Sequence, residues 1–210
     1  MLDFTQYEVL TFDCYGTLID WEDGIVGAIH PVLARYGITV SDRDILETFA
    51  PIEAKHEEGE YLKYRMVLRL VMTELSLRFA FDAEPEELDC LSASLGGWKP
   101  FGDTVGALTR LKTRYKLGVV SNVDDDLFAQ TAQRLRVPFD WVITAQQAAA
   151  YKPSRDIFDY ALRKIGVPRE QVLHVAQSVY HDIIPARALG LHTVWVNRRA
   201  GKPGSGATLA

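Results

Sequence analysis

Cysteine, excess positive charge and long apolar runs are all scarce in this sequence of 210 residues. The two cysteines, Cys14 and Cys90, cannot form a framework of several disulfides, which favours a reduced, cytoplasmic setting. The 23 Lys and Arg residues are outnumbered by 28 Asp and Glu, so the net charge of −5 indicates no basic surface for nucleic acid. No apolar run approaches the roughly 20 residues of a membrane helix, and no signal peptide is visible. We therefore expect neither a nucleic-acid nor a membrane partner.

The rest of the composition is that of a globular protein, with 48% hydrophobic and 24% charged residues. Five short runs are typical of strands buried on both faces of a parallel sheet, at residues 9–12, 117–121, 141–144, 172–175 and 193–197. Helical patterns separate the later runs, at 125–135, 154–165 and 182–189. This alternation predicts an α/β fold with a doubly wound, Rossmann-like parallel sheet.

The segment from about residue 22 to residue 95 interrupts that alternation. It carries four consecutive helical patterns, at residues 24–36, 41–56, 61–79 and 84–95. Ser41 followed by Asp44 is typical of a helix N-cap. The sequence therefore predicts a helical cap domain at 22–95, inserted after the first strand of a core domain formed by 1–21 and 96–210. Residues 200–210 are rich in glycine and small residues, which predicts a flexible tail.

Polar side chains stand near the carboxyl ends of the predicted strands. Asp13 follows the first strand and Asp182 the fourth, while Lys152 lies in the loop after the third. Ser121 and Asn122 come at the end of the second strand. Ligands of open α/β sheets bind where these ends meet, so we expect the five residues to form one site. A simpler interpretation is that Ser121, Asn122 and Asp182 begin the helices that follow them.

Four motifs make a family resemblance recognisable: FDCYGTLID at 12–20, VVSN at 119–122, YKPS at 151–154 and AQSVYHD at 176–182. In this order, and with a helical cap after the first strand, the sequence resembles the haloacid dehalogenase superfamily along its whole length. The resemblance implies that Asp13 is a nucleophile whose carboxylate attacks carbon or phosphorus, giving an ester or acyl phosphate that water opens. It also implies that the Thr17 hydroxyl holds Asp13, although a simple tight turn would explain Gly16 and Thr17 as well.

Tyr15 and Gln177 distinguish two branches of this superfamily. Its phosphatases carry a second Asp where Tyr15 stands, and a tyrosine, with a pKa of about 10, is poorly suited to protonate a leaving alcohol. They also bind Mg²⁺ through a carboxylate where Gln177 stands. Dehalogenases have the tyrosine, because a halide leaves without a proton. The resemblance thus implies a hydrolase without metal or cofactor, in which Lys152 offsets the charge of Asp13 and Asp182 orients Lys152 or water.

Three residues depart from the dehalogenase pattern. Gln177 and Val179 stand where dehalogenases usually have Ser and Asn, and Phe158 stands where they have Tyr. Tyr15 fits the pattern, although it would also fit a simple packing role. These departures concern groups around the nucleophile, so they bear on the substrate more than on the fold.

The cap holds a fourth departure. Dehalogenases use an Arg of the cap to receive the halide or the carboxylate, whereas the residue nearest that position here is Glu53, with Lys55, His56 and Arg65 as alternatives. If Glu53 faces the site, it favours a substrate with a cationic nitrogen. The simpler interpretation of Glu53 is an exposed helical glutamate.

The leading hypothesis is hydrolytic dehalogenation of short 2-haloalkanoic acids to 2-hydroxy acids, as in the L-specific 2-haloacid dehalogenases. Asp13 attacks carbon 2, while Ser121, Asn122 and Tyr15 position the small carboxylic acid and the cap excludes water. A second hypothesis keeps this attack but opens a strained nitrogen ring that bears a carboxylate. A phosphatase and a non-catalytic scaffold are further alternatives. The resemblance is compatible with a homodimer.

Overall fold

A five-stranded sheet lies at the centre of the structure, a computed structural model that describes residues 3–208. The strands are β1 (Val9–Phe12), β2 (Lys116–Ser121), β3 (Trp141–Thr144), β4 (Val172–Ala176) and β5 (His192–Trp195). They run parallel in the order β3-β2-β1-β4-β5, with β1 in the middle. The predicted α/β fold with a doubly wound parallel sheet is confirmed.

Strand positions agree closely with the sequence pattern. β1 and β3 have the predicted bounds, and all four residues of β1 are buried, as expected for a central strand covered on both faces. β2 begins one residue earlier than predicted, at Lys116, whose N–H donates to Glu8 O at 3.0 Å. β5 lies at 192–195 instead of 193–197, because its neighbour β4 ends at Ala176, the register partner of Trp195.

The chain between β1 and the rest of the sheet is helical, as predicted. It contains α1 (Trp21–Arg35), α2 (Asp42–Glu57), α3 (Tyr64–Arg78) and α4 (Cys90–Ser94), which we call the cap helices. Ser41 caps α2, its Oγ accepting a hydrogen bond from Asp44 N–H at 3.1 Å. The predicted fourth helix is too long, because the chain first makes a 3₁₀ turn in which the Glu87 carboxylate accepts a bond from Glu84 N–H at 2.9 Å. The cap-domain boundaries at 22 and 95 stay a prediction.

The remaining helices lie between or after the strands: α5 (Thr104–Lys112), α6 (Asp125–Leu135), α7 (Ala145–Ala148), α8 (Arg155–Ile165) and α9 (Ile184–Ala188). α6 and α8 match predicted helices, whereas α5 and α7 were not predicted. The predicted helix at 182–189 begins earlier, as a π-helical turn at Val179–Ile183 that precedes α9. Along the described part of the chain, no helix is both long enough and apolar enough to cross a membrane.

Apolar residues at helical spacing fix α1 and α2 in place. Ile25 and Ile29 of α1 and Ile45 and Phe49 of α2 are fully buried. Burying each such side chain contributes about 1.5–3 kcal/mol to stability. Glu53 lies four residues after Phe49 and hence on the same face of α2. The packing of α2 therefore directs Glu53 into the protein and not towards solvent.

The segment after β5 is packed against the molecule, although its composition predicts a flexible tail. Gly206, Ala207 and Thr208 are buried. The other part of that prediction, residues 209 and 210, falls outside the described residues. Contacts with α1, α2 and the loop after β4 order this segment.

Candidate active site

The carboxyl edge of the sheet brings the predicted polar residues together. Asp13 directly follows β1, and its N–H donates to Val175 O of β4 at 3.1 Å. Ser121 is the last residue of β2, and Asp182 lies in the π-helical turn after β4. Lys152 reaches the same place from the loop between α7 and α8. Parallel strands end at one edge of a sheet, which is why residues so distant in sequence meet here.

Lys152 joins two carboxylates in a buried triad. Its Nζ donates to Asp13 Oδ1 at 2.8 Å and to Asp182 Oδ1 at 2.7 Å. Lys152 is 2% exposed, Asp182 1% and Asp13 6%. The sequence did not show which aspartate Lys152 pairs with. In the structure it holds both.

Burial and charge act in opposite directions on the pKa values of this triad. Burial lowers the pKa of the Lys152 ammonium, but the two carboxylates outweigh it and hold that pKa above its ordinary value. Burial raises the pKa of Asp182, yet Lys152 and His174 outweigh it and hold the pKa below its ordinary value. For Asp13, burial prevails over Lys152 and Thr17, so its pKa is raised. Asp182 is thus the more firmly ionised carboxylate.

Thr17 holds the second oxygen of Asp13. Its Oγ1 donates to Asp13 Oδ2 at 2.6 Å and accepts a hydrogen bond from Gln177 N–H at 2.9 Å. The backbone N–H supplies one proton to the hydroxyl oxygen, so the hydroxyl directs its own proton to Asp13. Gly16 makes the intervening turn with φ +88°, and a β-carbon there would lie 2.9 Å from Trp21 Nε1. The tight turn at Gly16 and the hydrogen bond from the Thr17 hydroxyl to Asp13 therefore occur together.

His174 is a member of the site that sequence analysis did not identify. It is fully buried on β4, with Nε2 3.0 Å from Asp182 Oδ1 and Nδ1 2.9 Å from Thr11 Oγ1. Asp182 is an acceptor, so in the neutral ring Nε2 carries the proton and Nδ1 accepts from Thr11. His174 thereby fixes the orientation of Asp182. Its position inside a largely buried strand was the available signal, because a buried histidine needs partners for both nitrogens.

Ser121 and Asn122 differ in how free they are. Asn122 Oδ1 accepts from Lys152 N–H at 2.7 Å, and its Nδ2 donates to Lys152 O and to Glu57 Oε2, each at 3.0 Å. These bonds fix the backbone of Lys152 and leave Asn122 engaged with protein groups. Ser121 Oγ is buried and, among the atoms of residues 3–208, has no hydrogen-bond partner. Ser121 is thus the member of this pair that is free to bind a ligand.

Tyr15 contributes its ring to the wall of the site. Its hydroxyl is 2.8 Å from Thr131 Oγ1 of α6, and its ring packs edge-on against Trp98 with centroids 6.0 Å apart. Burial first, with a smaller contribution from nearby Cys14 and Asp13, raises the pKa of the phenol well above its ordinary value. Tyr15 is therefore neutral. Its contacts with Trp98 and Thr131 agree with a packing role, and its role in positioning the substrate stays a prediction.

Two glutamates of α2 face Asp13. Glu53 is 5% exposed, so its interpretation as an exposed helical residue is wrong. Tyr64 OH donates to Glu53 Oε1 at 2.6 Å, and burial raises the pKa of Glu53 to about 7. Glu57, one turn later and not identified from the sequence, accepts from Asn122, and burial raises its pKa well above the ordinary value. The i, i+4 spacing from Glu53 was the signal for Glu57.

The three alternatives to Glu53 lie elsewhere. Lys55 and His56 both contact Glu74, with Lys55 Nζ and His56 Nε2 at 2.8 and 2.7 Å from its Oε1. Arg65 is engaged with Asp124 and Asp126. None of the three is among the described residues that line the cavity at Asp13. The cap thus presents acids at the position where the resemblance led us to expect a base.

These side chains line a small cavity between the sheet edge and the cap helices, with a volume of about 40 Å³. Among the described residues that line it, Lys152 carries the one ammonium or guanidinium group, against the four carboxyl groups of Asp13, Asp182, Glu53 and Glu57. The wall also includes Trp21, Tyr64, Gln177, Ser178, His181 and Thr208. A buried carboxylate held by a hydroxyl and an ammonium, beside a free hydroxyl, is suited to covalent nucleophilic chemistry.

A profile of the haloacid dehalogenase-like hydrolases matches residues 7–190. The chain belongs to this hydrolase family. The match includes β1, the cap helices and β4, and therefore every element that supplies the triad. The family resemblance seen in the four sequence motifs is confirmed.

Relatives in this family are similar along most of their length. An (S)-2-haloacid dehalogenase from Pseudomonas putida is 27% identical over 199 residues, which cover 91% of this chain and 85% of that protein. Haloacetate dehalogenase H-2 from Moraxella sp. (strain B) is 25% identical, covering 92% and 87%. The solved structure of an L-2-haloacid dehalogenase from Xanthobacter autotrophicus, with chloropropionic acid covalently bound, has a TM-score of 0.79 at 20% identity, covering 91% and 78%. That structural likeness shows the shared fold.

The three core-domain residues that depart from the dehalogenase pattern lie at different distances from the cavity. Phe158 is buried and packs edge-on against His174, with ring centroids 5.4 Å apart. It therefore contacts the histidine that bonds to Asp182 of the triad. Val179 is 43% exposed and lies away from the cavity wall. Gln177 lines the cavity. Of the three departures, Gln177 alone among the described residues meets the cavity and can affect a bound substrate directly.

Mg²⁺, which phosphatases of the superfamily bind, does not fit the residues present. The Lys152 ammonium occupies the space between one oxygen of Asp13 and one of Asp182, and neutralises one of their charges. The position that the resemblance gives to a metal-binding carboxylate is the neutral amide Gln177. Within residues 3–208, no three His, Cys, Asp or Glu side chains are grouped to hold an ion. Metal independence stays a prediction.

Proposed function

We propose that this family member hydrolyses short 2-haloalkanoic acids to 2-hydroxy acids through an ester on Asp13. The observation that carries the proposal is the way Asp13 is held, with Thr17 donating to one carboxylate oxygen and Lys152 to the other. The names of relatives at 25–27% identity, (S)-2-haloacid dehalogenase and haloacetate dehalogenase, support a halide as the leaving group.

In the first step, an oxygen of Asp13 attacks carbon 2, and the carbon–halogen bond breaks with its electron pair going to the halide. The attack needs an ionised carboxylate in a fixed orientation, which the Thr17 hydroxyl and the Lys152 ammonium provide. Tyr15 is neutral and bonded to Thr131, which suits a leaving group that needs no proton. In-line displacement inverts the configuration of carbon 2.

In the second step, water attacks the carboxyl carbon of the ester, and the bond from that carbon to the ester oxygen breaks. We expect Asp182 to orient the water and take its proton, and this is supported by its buried Oδ2, which has no hydrogen-bond partner among the described residues. The donor that holds the oxygen left as the ester carbonyl, Lys152 on Oδ1 or Thr17 on Oδ2, stabilises the negative charge that develops there. The product leaves with one oxygen that belonged to Asp13. A solvent oxygen takes its place in the Asp13 carboxylate.

The substrate carboxylate needs donors in a cavity that is rich in acids. Ser121 Oγ is a free donor on the cavity wall. Glu53 and Glu57 are donors as well while they are protonated, and burial, acting first on both, raises their pKa values. A neutral acid pair can therefore accept an anion that two ionised glutamates would repel.

The same acid pair favours a second candidate function, the opening of a strained nitrogen ring that bears a carboxylate. When ionised, Glu53 or Glu57 accepts a hydrogen bond from a ring ammonium. Asp13 attacks the adjacent carbon, and the ring nitrogen leaves as an amine.

The two remaining alternatives are less well supported. Neither Tyr15 nor Gln177 supplies the carboxylate that phosphatases of the superfamily use. A scaffold protein would have no need for the complete buried triad.

A substrate panel distinguishes these functions. We expect (S)-2-chloropropionate to give a 2-hydroxy acid and chloride at a rate that excess EDTA leaves unchanged, because the cavity-lining residues that the structure describes do not fit Mg²⁺. The panel includes the (R) acid, a four-membered cyclic imino acid and phosphate monoesters, each measured with and without EDTA. Turnover confined to the imino acid would favour the second candidate. Phosphate-ester hydrolysis that EDTA stops and Mg²⁺ restores would contradict both.

The pH profile tests the role of Glu53. Its carboxyl is neutral below its pKa of about 7 and ionised above it. If the neutral form donates to the substrate carboxylate, kcat/KM for the haloacid falls above pH 7, approaching about tenfold per pH unit. Glu53→Gln keeps an amide donor and should flatten this fall, whereas Glu60→Gln, at an exposed position near the end of α2, should leave it in place. A cyclic imino acid should show the opposite slope. A profile that Glu53→Gln does not change would exclude this role.

A further inference from the structure

The chain after β5 crosses from the sheet onto the cap helices. Arg199 Nη1 donates to both carboxylate oxygens of Glu22 on α1, each at 2.5 Å. The two side chains are largely buried, at 17% and 11% exposure. A buried, doubly bonded ion pair holds geometry better than an exposed pair does. It therefore fixes the start of this segment against α1.

Two backbone groups continue the attachment. Ser205 N–H donates to Glu47 Oε1 of α2 at 3.2 Å, and Ala207 N–H donates to Glu22 Oε1 at 3.3 Å. Ala207 is fully buried and Thr208 is 8% exposed. The segment 203–208 is thus held by carboxylates of both helices along its length.

Thr208, the last described residue of this segment, lines the active-site cavity. Thr208 Oγ1 donates to Gln177 Oε1 at 3.4 Å, and both residues line the cavity that contains Asp13. Gln177 is also the residue whose N–H bonds to Thr17, the holder of the nucleophile. Thr208 therefore covers the side of the cavity next to the turn at Gly16 and Thr17, although it is nearly two hundred residues away from Asp13 in sequence.

Two glycines of the segment make a matched pair. Gly206 has φ +72°, and a β-carbon there would lie 2.0 Å from Glu22 Oε1 and 2.3 Å from Arg199 Nη1. Gly201 has φ +78°, and a β-carbon there would meet nothing within 4 Å. Alanine strains the backbone at both positions. At Gly206 it would also make the Glu22 and Arg199 side chains shift.

We propose that residues 203–207 hold Thr208 in the wall of the active-site cavity, and that Thr208 is a specificity-determining residue which limits the length of the substrate chain. The size limit rests on the proposed function; the wall does not. A side chain on the wall of a small cavity selects among acids that differ by a methylene. We expect acids of two or three carbons to fit beside Thr208 and longer ones to contact it.

The experiment compares wild type with Gly206→Ala, Thr208→Ala and the control Gly201→Ala. One readout is hydrogen exchange of the peptide that contains Gln177, which needs no turnover. The other is the ratio of kcat/KM for 2-chlorohexanoate to that for (S)-2-chloropropionate. We expect Gly206→Ala to speed the exchange, and both Gly206→Ala and Thr208→Ala to raise the ratio by about tenfold, the scale of one methylene in a pocket. Gly201→Ala should change neither.

Each outcome decides a separate claim. Equal exchange in Gly206→Ala and Gly201→Ala would overturn the wall. If Gly206→Ala speeds the exchange but neither Gly206→Ala nor Thr208→Ala changes the kcat/KM ratio, Thr208 does not determine specificity, and the segment has a structural role alone. If wild type hydrolyses no 2-halo acid while Gly206→Ala speeds the exchange, the proposed function and with it the size limit fail, and the wall is supported.

Discussion

Asp13→Asn is expected to lower kcat by about 10⁴-fold or more, the range seen when a covalent nucleophile is removed. Asparagine has the same shape and keeps polar contacts with Thr17 and Lys152, but its amide is not a nucleophile. The variant should fold, since no cavity opens in the core. Initial rates on the best haloacid, with far-ultraviolet circular dichroism to check folding, provide the measurement. Asp23→Asn, which changes an exposed carboxylate of α1, is the matched control and should keep wild-type activity.

Isotope labelling asks the same question of the intact enzyme. In one turnover with excess enzyme in ¹⁸O water, attack by Asp13 places the solvent oxygen in the peptide that contains Asp13 and leaves the product unlabelled. Direct attack by water on carbon 2 would label the product instead. Labelled product together with an unlabelled Asp13 peptide would rule out the ester, as would an Asp13→Asn variant with near-normal rates.

Lys152→Met is expected to have the largest effect on stability. It removes the ammonium that lies 2.8 and 2.7 Å from Asp13 and Asp182 and leaves two carboxylates buried side by side. Breaking a buried pair in this way costs about 3–5 kcal/mol. Urea unfolding at pH 7 measures the loss, and Lys116→Met, which breaks an exposed pair with Glu8, is the matched control with a cost of about 1 kcal/mol or less.

The pH dependence of this loss has a definite sign. In wild type, Lys152 and His174 outweigh burial and lower the pKa of Asp182, so its stabilising contribution is present above the ordinary pKa and is lost on acidification. Without Lys152 that pKa rises, and the cost of the buried charge shrinks as falling pH protonates the carboxylates. The gap between variant and wild type should therefore narrow from pH 7 towards about pH 4. Equal stability at pH 7 would show that the triad is not a coupled ion-pair network.

The sequence pattern was sufficient for the sheet and for the centre of the site. β1 is short, β-branched and apolar, which leaves a buried central strand as its natural conformation. Once the strands are parallel, the positions of Asp13 and Asp182 at strand ends follow from topology. Lys152 lies in a loop, yet it too could be placed, because that loop follows β3 at the same edge.

Residues of the cap were harder to place, because their direction depends on tertiary packing. Glu53 faces the site because Phe49, one turn earlier, is anchored in the core. A helical pattern alone does not show whether its buried face also borders a catalytic cavity. Glu57 follows from Glu53 by helical spacing, but only after Glu53 is known to point inward. His174 was missed because it acts through Asp182 and carries no motif of its own.

The segment after β5 shows the limit of reasoning from composition. Glycine and small residues give no local preference, so they predict a flexible tail. Its order comes from Glu22 and Glu47, which lie more than 150 residues earlier in the chain and satisfy its backbone N–H groups. Such pairing between distant carboxylates and backbone leaves no local trace in the sequence.

The hydrogen bond from Gln177 to Thr17 has a consequence for how this fold diversifies. The donor is the backbone N–H of residue 177, and its side chain takes no part in the bond that orients Thr17 towards Asp13. This bond therefore requires only that residue 177 is not proline. Evolution, or a protein engineer, can exchange a neutral amide there for a hydroxyl or an acid, and so alter the chemistry of the cavity, without losing the backbone hydrogen bond to Thr17.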